Sequence, residues 1–222
     1  VVAAPSNTIY YTSTDDMVVA PSDPTMFGGA NIVSNTYADG VGTITFDAPL
    51  TKIGNNAFVE CHKLTSIVLP AGVKDLGDNV FETCDGLVSV VLPDGLQTIG
   101  RNAFASCESL ISVVLPSSVT SVGIYAFNGC SALKSAVLSE KMTVIDQYLF
   151  NGCEELGYIV IPSGVKEIKR NAFYGCAVLD SIKCLGTAPA ELANKSNVFY
   201  GLPGSAKVYV PCVDGKACVS YV

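Results

Sequence analysis

The residues of this sequence that could do chemistry begin with its single histidine, His62, which directly follows Cys61. A cysteine beside a histidine suggests a thiolate–imidazole pair for nucleophilic catalysis. However, Cys61 belongs to a regularly spaced set of cysteines that is expected to face inward, so His62 should point to solvent. One histidine also cannot supply an HExxH zinc helix or an ordinary Ser-His-Asp triad. We therefore expect His62 to be an exposed loop residue.

The remaining polar groups offer little more chemistry. The adjacent carboxylates Asp15-Asp16 and Glu154-Glu155 are paired only in sequence, and solvated turn charges are the simpler interpretation. Gly28-Gly29 is an isolated pair, and the sequence contains neither a GxGxxG motif nor a P-loop. The sequence therefore predicts no catalytic residue, no cofactor and no metal site, and we expect the protein not to be an enzyme.

Six of the nine cysteines recur every 23 residues, at Cys61, Cys84, Cys107, Cys130, Cys153 and Cys176. This spacing fits neither a zinc site nor a small disulfide framework. One interpretation is a ladder of buried, reduced thiols. The other is a set of disulfides between neighbouring units, for which parallel Cβ directions would strain the bond dihedral. We favour the reduced ladder, and a bridge among Cys184, Cys212 and Cys218 stays open.

Composition excludes several classes of function. Hydrophobic residues make up 49% and charged residues 15% of the 222 residues, which excludes a disordered chain. The formal net charge of −7 and the lack of a basic patch argue against a nucleic-acid partner. No apolar run approaches the roughly 18 residues that span a bilayer, so we expect no membrane insertion. The opening residues VVAAPSNT carry no recognisable export signal, which leaves open a signal or a domain upstream.

The regular spacing extends to six phenylalanines, Phe58, Phe81, Phe104, Phe127, Phe150 and Phe173. A fixed period between about 20 and 50 residues is typical of a solenoid. The units span about 41–63, 64–86, 87–109, 110–132, 133–155 and 156–178 and share the frame LxxIxLPxxVxxIGxxAFxxC. Stacking them places each Phe on the next Phe and each Cys on the next Cys, about 4.8 Å apart. We expect these two columns to form the structural core.

Each unit is predicted to contain two short extended segments and a turn. Thr65–Leu69 alternates with period two and is rich in β-branched residues, which predicts a strand that Pro70 ends. A second extended segment is expected at Val73–Leu76. Gly77 then permits a turn into the AFxxC segment, which is predicted to form one helical or 3₁₀ turn. Asp146 replaces the glycine in the fifth unit, where we expect a local change of curvature.

An open solenoid also needs caps. One N-terminal hairpin is predicted from Thr8–Thr12 and Met17–Ala20 around Thr14-Asp15-Asp16. A second is predicted from Ile32–Tyr37 and Val41–Phe46 around Asp39-Gly40, a strong turn signal. Lys207–Pro211 is expected to supply the final strand. We expect an N-terminal capping region at 1–40, six to seven repeats at 41–185 and a C-terminal cap at 186–222, all in one structural domain.

The repeat LTSIVLPAGVKDLGDNVFETC and its five companions resemble the BspA-like class of leucine-rich repeats, whose unit contains LxxIxIP and IGxxAFxxC. The resemblance covers about 41–185, and NTIYYTSTDDMVVAP resembles the segment that often opens such arrays. It implies a β-rich leucine-rich-repeat solenoid with short helical or 3₁₀ turns, a curved parallel sheet on the concave face and a β-hairpin N-cap. It also implies a secreted or surface-attached bacterial protein that binds host or microbial surface molecules and has no catalytic residues.

Two stripes are expected on the outward face of the main strands. One is valine, and the other is serine at Ser66, Ser89, Ser112 and Ser135. Contiguous exposed apolar surface often marks a binding site, but β-branched residues also favour strands for their own sake, and we leave both interpretations open. On the first interpretation the candidate binding residues are Val68, Val91, Val114, Val137, Tyr158 and Val160.

Three functions are compatible with this sequence. The leading one is a cell-surface or secreted recognition or adhesion module that binds a protein or glycan on the concave sheet. The second is a passive spacer within a larger surface protein. The third is a module that self-associates through the valine stripe, and the expected state in solution is a monomer or a weak dimer.

Overall fold

The chain folds as a β-solenoid in which each 23-residue unit makes one turn. The computed structural model describes residues 4–186, 191–192, 198, 202–211 and 217–221, and every regular element in this part of the chain is a strand. The strands are β1 (Thr8–Ser13), β2 (Ile32–Ala38), β3 (Val41–Phe46), β4 (Lys52–Ile53), β5 (Leu64–Val68), β6 (Asp75–Leu76), β7 (Ser89–Val91), β8 (Thr98–Ile99), β9 (Ser112–Val114), β10 (Ser121–Val122), β11 (Ser135–Val137), β12 (Val144–Ile145), β13 (Tyr158–Ile161), β14 (Glu167–Ile168), β15 (Ser181–Cys184), β16 (Glu191–Leu192), β17 (Lys207–Pro211) and β18 (Ala217–Tyr221).

The longer strands of the units, β5, β7, β9, β11, β13, β15 and β17, lie side by side, and we call them together the main sheet. They form three hydrogen-bonded groups: β5 with β7, β9 with β11, and β13 with β15 and β17. Paired strands are parallel and in register, so residues one unit apart face each other: Ile67 pairs with Val90, and Val113 pairs with Ala136. The predicted strand and the parallel sheet are thereby confirmed. The segment predicted at Val73–Leu76 is also confirmed, as the two-residue strand β6 of a second parallel ladder.

The AFxxC segment is not helical, which corrects the prediction of a helical or 3₁₀ turn. In the first unit the Val59 N–H donates to the Asn56 carbonyl, and the backbone is left-handed at Asn56 (φ 60°) and Glu60 (φ 58°). A helix requires consecutive right-handed residues, so these positions prevent one. The N–H groups of Asn56, Phe58 and Glu60 instead donate to carbonyls of the next unit, at 2.8 to 2.9 Å.

The glycine before this turn has a different role from the predicted one. Gly100 does not adopt positive φ, but a Cβ atom there would lie 2.4 Å from the carbonyl carbon of Gly77 in the preceding unit. The close approach of two turns therefore selects glycine here. The left-handed position lies two residues later, at Asn79 and Asn102.

The core is a column of stacked aromatic rings. Successive phenylalanines of the repeat have ring centroids 5.2 to 5.8 Å apart and interplanar angles of 5 to 20°. The N-terminal segment extends the column, because the Phe27 ring meets Phe58 edge-on at 5.9 Å and lies 4.7 Å from Phe46. Each buried Phe removes about 150–250 Å² from water, which contributes roughly 4–6 kcal/mol before entropy costs.

The N-terminal cap differs in part from its prediction. β2 and β3 form the hairpin predicted around Asp39-Gly40, which confirms the hairpin N-cap. The hairpin predicted from Thr8–Thr12 and Met17–Ala20 is wrong, because the second segment is not a strand. Instead β1 lies between β3 and β5 and pairs antiparallel with both. The strand of the first unit, β3, is therefore separated from the next main strand by one inserted strand.

At the other end, Lys207–Pro211 forms β17 as predicted, but it is not the final strand. β17 pairs in parallel with β15 and antiparallel with β18, which lies at the edge of the sheet. The described part of the chain contains no helix that could span a bilayer.

Candidate recognition surface

The main sheet presents alternate side chains to its two sides, because successive residues of a strand point in opposite directions. In β9, Val113 is buried, whereas Ser112 and Val114 on either side of it are exposed. The in-register pairing repeats this alternation from strand to strand, so the exposed residues line up in columns. Val114 faces Val137, and Val160 faces Lys183.

The six predicted binding residues lie on this outward side but differ in exposure. Val114, Val137 and Tyr158 are exposed by 62%, 55% and 46%. Val68, Val91 and Val160 are half-buried. The accessible part of the valine stripe is therefore Val114 on β9 and Val137 on β11, and Tyr158 on β13 occupies the position that holds serine in β9 and β11.

Two further exposed apolar residues lie just before two of the main strands and were missed by the sequence analysis. Val88 and Ile111, exposed by 40% and 45%, immediately precede β7 and β9. The corresponding residue is Thr65, Lys134 or Gly157 in other units. The repeat has no preferred residue type at this position, so an apolar residue there was the sequence signal that could have identified Val88 and Ile111. We call the exposed set Val88, Ile111, Val114, Val137 and Tyr158 the apolar patch.

An open groove adjoins the patch. It has a volume of about 340 Å³ and is lined by Val137, Tyr158 and Val160, with Glu140 and Pro162 among the other residues at its border. At the other end of the sheet, Tyr10 of β1 lies opposite Val68 and continues the outward face onto the N-terminal cap. No sequence signal placed Tyr10 here, because β1 was predicted to pair elsewhere.

The predicted core columns lie inside the solenoid. All six phenylalanines and all six cysteines of the repeat are buried. The six cysteines are free thiols, as is Cys184. The side chains of Cys212 and Cys218, for which a bridge stayed open, lie outside the described residues.

The thiols have a hydrogen-bonding role that the sequence analysis missed. In the cysteine column from Cys84 to Cys176, each Sγ donates to the carbonyl oxygen of the phenylalanine in the preceding unit, at 3.0 to 3.2 Å. Burial raises the pKa of Cys130 and of Cys176 to about 12, and it also raises the pKa of Cys107 and Cys153. These thiols therefore remain protonated donors at neutral pH.

The first thiol of the column has different surroundings. The Sγ of Cys61 lies 3.5 Å from the Ser22 hydroxyl and 3.6 Å from the Ala20 carbonyl oxygen. The pKa of Cys61 is lowered, first by the neighbouring Cys84 thiol and further by Ser22, against the opposite effect of burial.

The histidine next to Cys61 is exposed and has another partner. His62 Nδ1 lies 2.9 Å from Asp85 Oδ1, and its side chain is 55% exposed. The structure therefore does not bring the imidazole and the Cys61 thiol together as a catalytic pair. In the described part of the chain, no group of His, Cys, Asp and Glu residues could hold a metal ion.

Known proteins share this arrangement. The family model described as "BspA type Leucine rich repeat region" matches residues 38–183 with 6 copies. The crystal structure of a Treponema pallidum leucine-rich repeat protein is 31% identical, with a TM-score of 0.63, over 71% of this chain and 73% of that one. No curated protein matches the sequence significantly.

Two other solved structures are longer than the region they share with this chain. A leucine-rich repeat protein from Bacteroides ovatus is 22% identical over 92% of this chain and 60% of its own, with a TM-score of 0.56, which shows the fold. A protein from Faecalibacterium prausnitzii described as a leucine rich cell surface protein is 27% identical over 74% of this chain and 52% of its own, with a TM-score of 0.50.

Proposed function

Because this chain belongs to the BspA-type leucine-rich repeat family, we propose that it is a non-enzymatic recognition module that binds a protein through the apolar patch of its main sheet. Leucine-rich repeats are in general repeat modules without catalytic activity, and they usually bind proteins. The observation that carries the proposal is the exposure of five large apolar side chains, three on β9, β11 and β13 and two immediately before β7 and β9.

Strand propensity favours Val114 and Val137, which lie within β9 and β11. Val88 and Ile111 lie just before β7 and β9, and the same position holds Thr, Lys or Gly in other units, so the repeat does not require an apolar residue there. Their exposure leaves apolar surface in water that a partner would remove, at about 25 cal/mol for each Å². Contiguous apolar surface with a polar border is typical of protein interaction sites.

A protein fits the patch better than a glycan does. Four of its five side chains are valine or isoleucine, which stabilise a complex by leaving water but offer a sugar neither hydrogen bonds nor a ring face. Tyr158 is the one aromatic residue in the set. A glycan is therefore the alternative ligand that the binding experiment must separate from a protein.

We further propose that the protein acts outside the cell or attached to its surface, in adhesion or in contact between microbe and host. The cell-surface description of the Faecalibacterium protein, which is 27% identical, supports this location. A module that recognises proteins at the cell surface would use an extended contact face such as the outward side of the main sheet. Detection of the native protein in intact-cell and culture-medium fractions would test the location, and exclusive recovery from the cytoplasm would contradict it.

Binding arrays of extracellular-matrix proteins and of glycans test the main proposal. We expect binding to at least one protein, and we expect Val114→Asp to abolish it, because a buried, unpaired carboxylate opposes docking. Thr120→Asp adds the same charge to an exposed residue of the same unit outside the patch and should leave binding unchanged. Equal binding by Val114→Asp and the parent would contradict the proposal, as would binding to glycans alone.

The alternative functions predict different results. A spacer should bind nothing on either array. A self-associating module should sediment as a dimer that Val114→Asp converts to a monomer. Either result would replace the recognition function, provided that both variants retain the melting temperature of the parent.

A further inference from the structure

A second candidate site lies at the turns that follow the two-residue strands, away from the apolar patch. The sequence contains two arginines, Arg101 and Arg170, and its other basic residues are lysines. Both arginines occupy the same position of the repeat, three units apart, and both are exposed. Arginine and lysine are not equivalent, because the planar guanidinium binds a carboxylate through two parallel hydrogen bonds.

Two tyrosines occupy the turns between these arginines. The rings of Tyr125 and Tyr148 stack with centroids 4.7 Å apart and an interplanar angle of 14°. The Arg101 guanidinium carbon lies 5.8 Å from the centroid of the Tyr125 ring, a cation–π distance. Arg101, Tyr125, Tyr148 and Arg170 therefore follow one another along this edge of the solenoid, and we call these four residues the Arg–Tyr row.

Both tyrosines occupy a backbone conformation that suits them poorly. Tyr125 and Tyr148 have φ values of 62° and 57°. In other units this left-handed position is held by asparagine, at Asn56, Asn79, Asn102 and Asn171. Asparagine tolerates this region, whereas a bulky side chain with positive φ is a genuine outlier.

The tyrosines also interrupt a ladder of side-chain amides. Asn79 Nδ2 donates to Asn56 Oδ1 at 2.9 Å, and Asn102 Nδ2 donates to Asn79 Oδ1 at 3.2 Å. Tyr125 ends this ladder in the middle of the array. Residues that oppose both the local backbone and the local hydrogen bonding point to a function other than stability.

The orientation of the rings limits the type of ligand. One face of Tyr125 is covered by Arg101 and the other by Tyr148. Tyr125 therefore presents its ring edge, and not an open aromatic face on which a sugar could stack. A peptide, with backbone amides and carboxylates, suits such a row better than a glycan.

Charge and spacing define the peptide. In the described part of the chain, neither guanidinium forms an ion pair, and the nearby carboxylate of Asp146 is paired with Lys169 at 3.3 Å. Asp78, at one end of the row, accepts the backbone N–H of Arg101. Three rungs of about 4.8 Å separate the two arginine backbones by about 14 Å, which an extended peptide covers in about four residues.

We propose that the Arg–Tyr row is a second binding site, which takes an extended acidic peptide segment with carboxylates four residues apart. One guanidinium binds each carboxylate, and the tyrosine edges contact the backbone between them. The site does not depend on the apolar patch, so each can fail without the other.

Fluorescence anisotropy with a capped, labelled Ser/Thr-rich peptide that carries two glutamates four residues apart tests this site. We expect Arg101→Gln and Arg170→Gln each to weaken binding about tenfold, because each removes one charge-assisted bidentate contact. Lys134→Gln with Lys183→Gln removes two exposed charges from the main sheet and should have little effect. Val114→Asp should bind the peptide as the parent does.

The matched peptides and a sulfated glycan complete the test. Replacing both glutamates by glutamine should abolish binding, and placing them two residues apart should weaken it about tenfold, because one carboxylate then loses its arginine. The proposal would be overturned if the peptide with glutamates four residues apart did not bind, or if the three peptides bound equally. It would also be overturned if the double lysine variant lost as much binding as the arginine variants. Tighter binding of the sulfated glycan at the same arginines would also overturn it.

Discussion

The Sγ atom of Cys130 donates a hydrogen bond to the carbonyl oxygen of Phe104, 3.1 Å away in the preceding unit. The same carbonyl accepts the backbone N–H of Cys107 at 3.3 Å. The thiol thus joins two turns of the solenoid at a buried point where the strands do not reach. A small apolar residue with a weak donor is suited to this position.

Removing this donor should destabilise the fold. We expect Cys130→Ala to lower the free energy of unfolding by about 1–2 kcal/mol, because it removes a buried hydrogen bond and leaves a small void. Cys130→Ser retains a donor and should cost less. Urea unfolding of both variants measures the difference, and a serine variant as unstable as the alanine variant would contradict a donor role.

The buried thiols also predict a loss of stability in alkali. The ordinary pKa of a thiol is 9.0, and burial raises the pKa of Cys130 to about 12. Above about pH 9 the unfolded chain loses thiol protons that the folded chain retains, so the free energy of unfolding falls as pH rises. Between about pH 9 and the raised pKa, each such thiol lowers the free energy of unfolding by up to about 1.4 kcal/mol per pH unit. Below about pH 9 it causes no dependence on pH.

Urea unfolding at about pH 8 and about pH 10 measures this dependence. The double variant Cys107→Ser with Cys130→Ser has two fewer buried thiols and should lose less stability over the same interval. If the variant and the parent had the same dependence on pH, the thiols would not be its cause.

Phe104 faces the core and His62 faces solvent, so truncating the two side chains should have very different effects on stability. Phe104→Ala removes a fully buried ring from the middle of the column and should cost about 3–5 kcal/mol. His62→Ala removes an exposed side chain and one exposed contact with Asp85, and should cost less than about 0.5 kcal/mol. Thermal unfolding distinguishes them, and similar shifts in melting temperature would show that the assignment is wrong.

The thiols of the column should differ in reactivity. Cys61 stands at the end of the column and its pKa is lowered, whereas Cys107 and Cys153 are fully buried with a raised pKa. Because the thiolate is the nucleophile, a short pulse of iodoacetamide on the folded protein should label Cys61 first. Peptide mapping by mass spectrometry measures the order, and equal labelling of Cys61 and Cys107 would contradict it.

The sequence was sufficient for the parts of the fold that depend on period. The 23-residue spacing places Phe104 on Phe127, and the Asp39-Gly40 turn places β2 beside β3, because both are local or strictly repeated relationships. The partners of β1 were not predictable in this way. Its alternating pattern indicates a strand but does not distinguish a hairpin with Met17–Ala20 from insertion between β3 and β5.

The candidate surfaces were predictable to a smaller extent. Alternation along the strand placed Val114 and Val137 on the outward side, but exposure depends on neighbours in other units and separated Val114 from the half-buried Val91. The Arg–Tyr row was not found, because Tyr125 and Tyr148 replace asparagine at a position whose left-handed backbone only the structure reveals. From the AFxxC motif alone, a helical or 3₁₀ turn was predicted there.

The most direct test of recognition through the main sheet is site-specific photocrosslinking with a benzoylphenylalanine side chain at position 114 or at position 120. After irradiation with a protein identified on the array, position 114 is predicted to give a covalent adduct and position 120 none. An adduct from position 120 with none from position 114 would contradict the central role of the apolar patch.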